Sequence, residues 1–256
     1  MKINVHYSNL HLDDLYFSGK TSVIIDVLRA STVIVTAIAN GAREVIPVST
    51  VDFAMKVSGN AFGGQTILSG ERNTKKVEGF NLGNSPLEYT ADVVSGKSII
   101  LYTTNGSKSI VKAKFSENLF ICSFNNLPAI AKHLLAINKD VEISCAGSNG
   151  NFNLEDVVCA GRLISEMDKE STDLEISDAG RASMVLNKSF GKSIIKLLKE
   201  TEHGQLLIEN GFGADIKVCA QFGTTDLIPH YISGVLKKLD SDTAPTNLKN
   251  EHKVSK

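Results

Sequence analysis

The sequence predicts an α/β protein, a layered α/β/α arrangement around a largely parallel or mixed sheet. Three observations carry this. Short β-branched runs recur, each closing in a polar or Gly-rich loop that leads into a helical stretch. Strands that alternate with helices in this way build parallel sheets. The runs are continuous Val, Ile and Leu, as in strands buried on both faces. Finally, 256 residues that are 42% hydrophobic and 21% charged are enough for one large core or two modest ones.

Taken in order, the first run is Ser22–Ile25, followed by the polar stretch Asp26–Ser31 and an apolar helix that stops near Gly41. A glycine there suits the left-handed residue after a helix end. The second is Val45–Val48, after which Ser49 or Thr50 can cap a helix. Thr66–Ser69 leads into Gly70-Glu71-Arg72, and Ser98–Tyr102 into Thr103-Thr104-Asn105-Gly106. Leu119–Cys122 precedes a helix over Pro128–Ile137, and Val141–Cys145 ends in Ala146-Gly147-Ser148-Asn149-Gly150. Beyond Gly161 the texture changes. Leu163–Met167, Asp178–Asn187 and Ser193–Glu200 read as helix, and Ile216–Ala220 as a last strand. Residues 1–239 form the expected α/β unit, with a change near 161–175 that admits a division into two lobes, and 240–256 read as a disordered polar tail.

Composition removes several function classes. Trp is absent and aromatics are 6%, so a stacking platform for single-stranded nucleic acid is not expected, and a net charge of −1 lacks the basic excess of a nucleic-acid binder. The four cysteines show no C-x-x-C spacing, and their apolar surroundings read as buried thiols. There is no basic-then-apolar leader, and the apolar runs at Val23–Ile25 and Val33–Ala39 are too short to cross a bilayer, so a cytoplasmic protein is expected. Gly59 to Thr66 has P-loop spacing, but Gln65 stands in place of the required Lys, and the segment precedes a strand. The histidines are scattered without metal-ligand spacing, and no G-x-S-x-G elbow occurs.

Five polar segments could carry chemistry, since ligands of open α/β sheets gather beyond the carboxyl ends of strands. In Asp26–Thr32, the Asp26 carboxylate could bind a cation or attack phosphorus, Arg29 matches phosphate oxygens, and Ser31 or Thr32 would cap the next helix. An ion pair with an N-cap explains the same residues. Glu71 and Arg72 could serve cation and anion or form a surface pair. Gly79 to Pro86 delivers a helix start, with Ser85-Pro86-Leu87-Glu88 as a capping box and with Asn84 and Ser85 at an anion-binding N-terminus. In Thr103–Ser107, capping by Thr104 or Asn105 competes with phosphate binding by Thr104, Asn105 and Gly106. After Cys145-Ala146-Gly147, Asn153 can cap a helix whose first turn holds Glu155 and Asp156. Those carboxylates suit either the helix dipole or a hard cation.

Together and in order, Asp26–Thr32, Gly70-Glu71-Arg72, Gly79–Pro86, Thr103–Gly106 and Cys145-Ala146-Gly147 with Leu154-Glu155-Asp156 resemble the 2-phosphosulfolactate phosphatases. The resemblance runs from about Val23 to Gly161 and more weakly through Gly213–Pro229. It implies a family-specific α/β fold and Mg²⁺-dependent hydrolysis of (2R)-phospho-3-sulfolactate to 3-sulfolactate and phosphate, a step that leads to coenzyme M in methanogens. Ser31 and Ser107 stand where threonine is usual, and both keep a hydroxyl. On this reading Asp26 with Glu155 or Asp156 holds Mg²⁺, Arg29 stabilises the equatorial oxygens, and Glu71 positions the attacking water. Arg72, Ser31, Asn84, Ser85, Thr104, Asn105 and Gly106 then share the substrate's anionic groups. A phosphatase for another phosphorylated hydroxy acid and a non-catalytic anion binder are the alternatives. The default oligomer is a homodimer.

Overall fold

A computed structural model of the chain describes residues 1–9, 11–60 and 66–239. The expected polar tail from Asp240 and most of the P-loop-like spacing lie outside the described residues. The strands are β1 (Lys2–His6), β2 (Thr21–Ile25), β3 (Glu44–Val48), β4 (Thr66–Arg72), β5 (Lys75–Lys76), β6 (Ser98–Tyr102), β7 (Asn118–Cys122), β8 (Val141–Cys145), β9 (Glu175–Ile176), β10 (Pro229–Ile232) and β11 (Val235–Lys238). The helices are α1 (Ala30–Ala39), α2 (Val51–Asn60), α3 (Ala91–Val94), α4 (Gly106–Lys112), α5 (Leu127–Ile137), α6 (Leu154–Glu170), α7 (Asp178–Phe190), α8 (Ile194–Glu200), α9 (Glu202–Glu209) and α10 (Asp215–Cys219).

The strands form one sheet in the order β5-β4-β6-β3-β11-β10-β7-β2-β8-β1-β9. Two parallel blocks, β4-β6-β3 and β7-β2-β8-β1-β9, are joined by the antiparallel hairpin β10-β11. The hairpin turn is Ser233-Gly234, both at positive φ (50° and 94°), the geometry of a primed two-residue turn. All five residues of β2, β3 and β6 are buried, as continuous apolar runs require. Alternation then sends side chains to opposite faces. Val23 and Ile25 of β2, with Phe120 and Cys122 of β7, pack under α5 and α6. Ile24, Leu119 and Ile121 pack under α1 and α4. Each such side chain, fully withdrawn from water, contributes about 1.5–3 kcal/mol, and this two-sided burial makes the layered α/β/α arrangement. The four cysteines are buried free thiols.

Several local expectations are met. Gly41 sits at φ 89° just after α1, and the Thr50 hydroxyl accepts from the Phe53 amide (3.1 Å) at the start of α2. Others are corrected. The run Ile216–Ala220 is helix, not strand, because a five-residue apolar stretch fits either a short strand or one buried helical turn. The Ser85 capping box does not form. The Ser85 hydroxyl donates to Asp215 (2.6 Å), while Glu88 accepts from the Gly83 amide (2.7 Å). Neither Ser31 nor Thr32 caps α1. That helix begins at Ala30, and its free amide is taken by the Asp26 carboxylate (3.1 Å). The α4 start is closed by Thr103, whose hydroxyl accepts from the Ser107 amide (2.8 Å), and not by Thr104 or Asn105. The Asn153 side chain makes no cap bond to α6.

Candidate functional site

The carboxyl ends of β2, β4 and β6 place Asp26, Glu71 and Thr103–Asn105 around one cavity of about 90 Å³. Leu28, Arg29, Asn73, Thr74, Asn84, Ser148, Asn149, His203 and Leu206 complete its wall. Asp26 is 8% exposed. Its carboxylate accepts the amides of Ala30 and Gly106, and its own amide donates to the Ser31 hydroxyl (2.9 Å). Gly106 is required by this approach, since a Cβ there would lie 2.4 Å from an Asp26 carboxylate oxygen and 2.5 Å from Ala30 Cβ. Ser31 thus orders the strand-to-helix corner from below the cavity. Gly106 brings the α4 backbone to Asp26.

Glu71 braces two loops. One carboxylate oxygen accepts the Thr74 amide (2.8 Å) and the other the Thr104 amide (2.7 Å). The β4 strand can run close enough to β6 because Gly70 (φ 143°) has no Cβ, which would stand 1.8 Å from the Tyr102 carbonyl oxygen. Arg29, 2% exposed, is held from the opposite side. Its guanidinium donates to Asp215 (2.5 Å) and to the Thr74 carbonyl (3.0 Å), and it lies over the Phe212 ring at 4.3 Å. Asp215 also accepts from Ser85. Ser85 and Asp215 therefore pin the arginine. Arg72 is elsewhere, lining a separate groove with Lys75 and Lys76, because alternation along β4 turns it away from Glu71.

Behind Asp26 stand the two carboxylates of the α6 first turn, Glu155 and Asp156, 1% and 2% exposed. Asp156 spends both oxygens on backbone, accepting from Val27 (2.8 Å) and Gly147 (3.2 Å) and so fixing the β2 and β8 loops. Glu155 keeps Oε1 without a partner. Burial, with repulsion from Glu71, pushes the Asp26 carboxyl up to about 7 against the bonds from Ala30 and Gly106. Burial, with the Asp26 charge, likewise raises Glu155 to about 7, and burial together with Asp26 and Glu155 raises Asp156. Mutual repulsion among buried carboxylates is relieved by a proton or by a cation.

Among the described residues no group of three His, Cys, Asp or Glu side chains is arranged to hold a metal ion. The donor chemistry nevertheless fits a hard cation that takes one or two protein carboxylates and completes its shell with water and substrate oxygens. Asp26, which lines the cavity, and Glu155, with one oxygen unpartnered, could be offered to such an ion. Asp156 is already committed to backbone amides.

Other polar atoms around the cavity are also unsatisfied. Thr74 Oγ1, Asn84 Oδ1 and Thr104 Oγ1 are buried without a partner. Buried polar groups are normally hydrogen-bonded, so their convergence on one small cavity marks a place built for a polar ligand. Asn105 reaches across the mouth, its side-chain oxygen accepting the Asn149 amide (3.1 Å).

His203 is a site residue that sequence reasoning passes over. It lies in the first turn of α9, 177 residues beyond Asp26, and nothing in its local sequence marks it. Burial lowers its pKa, helped by the charge of Arg29 and opposed by Glu71, so the imidazole is neutral near pH 7. Thr74 and Asn73 are likewise recruited from the tight β4–β5 turn, where both hold positive φ (68° and 51°).

Comparison with known proteins identifies the family of the chain. A family model described as 2-phosphosulpholactate phosphatase matches residues 7–234. A protein of Caldanaerobacter subterraneus named probable 2-phosphosulfolactate phosphatase is 39% identical over 226 residues, covering 88% of this chain and 93% of that one. Proteins with the same name from Clostridium botulinum (36% over 239 residues, 93% and 100% covered) and Symbiobacterium thermophilum (38% over 223 residues, 87% and 96% covered) are similar to it. With matches of this identity running over most of its length, the chain belongs to the 2-phosphosulpholactate phosphatase family.

Proposed function

We propose that the protein hydrolyses (2R)-phospho-3-sulfolactate to 3-sulfolactate and phosphate, with Mg²⁺ held by Asp26 and Glu155. The observation that carries the reading is the pairing of under-neutralised buried carboxylates with a small cavity whose wall offers unpartnered hydroxyl and amide groups. Bare carboxylates repel a phosphate, so the pair suits an anionic substrate only when a cation intervenes. The names of the relatives supply the substrate.

Asp26 and Glu155 would hold the cation, whose chemistry there would be to supply positive charge against that of the phosphate oxygens. The chain's own part is positional and electrostatic, as phosphoryl transfer demands. Arg29, immobilised by Asp215, presents a fixed positive charge at the cavity wall. Its donors toward Asp215 and Thr74 are occupied, so it works by charge and by the loop it holds. Thr74, Asn84 and Thr104 are placed to hydrogen-bond the phosphate oxygens. Glu71 keeps the Thr74 and Thr104 loops in register, and its remaining lone pairs can orient a water. His203, neutral and facing the same cavity, can take the proton from that water. Released phosphate, measured with phosphosulfolactate in Mg²⁺ and then in EDTA, tests the reading. Mg²⁺-dependent release supports it, and no release from folded protein with Mg²⁺ present overturns it.

No described helix is long and apolar enough to cross a membrane. We place the enzyme in the cytoplasm, as a homodimer.

A further inference from the structure

The segment from Gly79 to Pro86 reaches the cavity as an extra strand sewn onto β4. The Leu68 amide donates to the Asn81 side chain (3.0 Å), the Leu68 carbonyl accepts from the Leu82 amide (3.1 Å), and the Gly70 amide donates to the Leu82 carbonyl (3.1 Å). At Gly83 this pairing ends, and both backbone polar groups pass to side chains. The Gly83 amide donates to the Glu88 carboxylate (2.7 Å), and the Gly83 carbonyl accepts from the Tyr89 hydroxyl (2.7 Å). The two residues that follow this clamp serve the site. Asn84, 5% exposed, lines the cavity with Oδ1 unpartnered, and Ser85 donates to the Asp215 that holds Arg29. The direction in which the chain leaves Gly83 sets where both of them stand.

Tyr89 does not line the cavity, and it is itself immobilised. It is 0% exposed, and its carbonyl accepts from the Asn40 side chain (2.6 Å) just after the end of α1. The Ala30 amide at the start of the same helix donates to Asp26. One helix therefore references two walls of the cavity, Asp26 directly and Asn84 through Tyr89 and Gly83. The Tyr89 ring belongs to the apolar cluster with Ile34, Ile38 and Val94, so the ring serves packing while the hydroxyl is spent on Gly83.

Resting on the reaction proposed above, we propose that Tyr89 is a positioning residue for the phosphate ester. Its hydroxyl fixes the Gly83 peptide and thereby holds Asn84 against the phosphate oxygens and Ser85 against Asp215. A small misplacement of a positioning group costs up to about 10²-fold in rate, so the hydroxyl acts on turnover without touching the substrate.

The test compares wild type with Tyr89→Phe and Glu88→Ala in full-length protein, with Ser98→Ala as a control. The Ser98 hydroxyl makes a buried bond of the same kind, to Glu44 (2.6 Å), at the end of β6 away from the cavity. For each protein kcat and KM for phosphosulfolactate are measured with Mg²⁺. Melting temperature and calorimetric titration with inorganic phosphate, which needs no turnover, are measured beside them. Tyr89→Phe is expected to lower kcat by about tenfold or more and phosphate affinity by about tenfold, whereas Ser98→Ala lowers the melting temperature and leaves both unchanged. A Tyr89→Phe protein that melts early but keeps kcat and phosphate affinity within about twofold of wild type would reduce Tyr89 to a packing residue and overturn the proposal. If that variant does not fold, Glu88→Ala decides by the same readings, since Glu88 is half-buried and closes the clamp at the Gly83 amide. If wild type releases no phosphate from the ester yet binds inorganic phosphate more tightly than Tyr89→Phe does, the reaction is wrong and the clamp stands. If wild type turns over and the variant matches it in both readings, the clamp is wrong and the reaction stands. A wild type that neither turns over nor binds phosphate removes both.

Discussion

Arg29 and Asp215, 186 residues apart in sequence, form an ion pair at 2.5 Å with side chains only 1% and 2% exposed. The pair locks α10 against the loop that follows β2. Removing one partner of such a pair strands a buried charge and costs about 3–5 kcal/mol. Asp215→Ala is therefore expected to lower unfolding free energy by about that much, read by urea titration. A loss below about 1 kcal/mol would mean that water reaches Arg29 in the folded state.

Asp26→Asn tests the centre of the site. Losing one electrostatic stabiliser of the transition state typically costs about 10²-fold or more in turnover. Phosphate release within threefold of wild type would remove Asp26 from the mechanism.

Glu155→Gln should separate stability from activity. The buried carboxylate adds repulsion against Asp26, so its neutral isostere is expected to raise the melting temperature in EDTA. The same change should abolish the stabilisation that Mg²⁺ gives to wild type, since a ligand stabilises in proportion to its binding. Equal Mg²⁺-induced shifts in both proteins would exclude Glu155 as a ligand.

His203→Gln keeps a polar side chain but removes the imidazole base. A fall of about 10²-fold in kcat with KM for phosphosulfolactate little changed is expected, because general-base assistance contributes at least that. A rise in KM alone would make His203 a binding group.

A pH effect on stability comes from the far side of the sheet. His133 and His230 flank the Phe120 ring at 4.9 and 5.0 Å, and both His230 ring nitrogens are buried without partners. Burial lowers both pKa values below the usual 6.5. Below that pH the unfolded chain binds more protons than the folded one, so stability is full above pH 6.5 and is lost as pH falls through it. Melting curves from pH 8 to 5 should show His230→Phe losing less stability than wild type over the acid half. Parallel curves would show that His230 takes up its proton alike in the folded and unfolded states.

What the chain alone determines about this protein is local and periodic. Six continuous apolar runs announce buried strands, and Ser98–Tyr102 and Val141–Cys145 coincide with the observed ones residue for residue. The polar stretches after them could be recognised as a site because a parallel sheet exposes its loops at one edge. The strand β1 and the hairpin β10-β11 are less legible. Lys2–His6 is a short run that alternates polar and apolar residues, and His230 and Tyr231 interrupt the apolar pattern, although Ser233-Gly234 carried a turn signal. The tertiary structure decided what each polar residue does. Ser85 serves Asp215 instead of a capping box, Asp156 serves backbone amides, and Arg72 lines a neighbouring groove and not the cavity itself. It also brought His203 to the cavity from a remote element. Such roles depend on which donors remain unpaired after packing, and that balance is struck between residues far apart in the chain, beyond the reach of any local pattern.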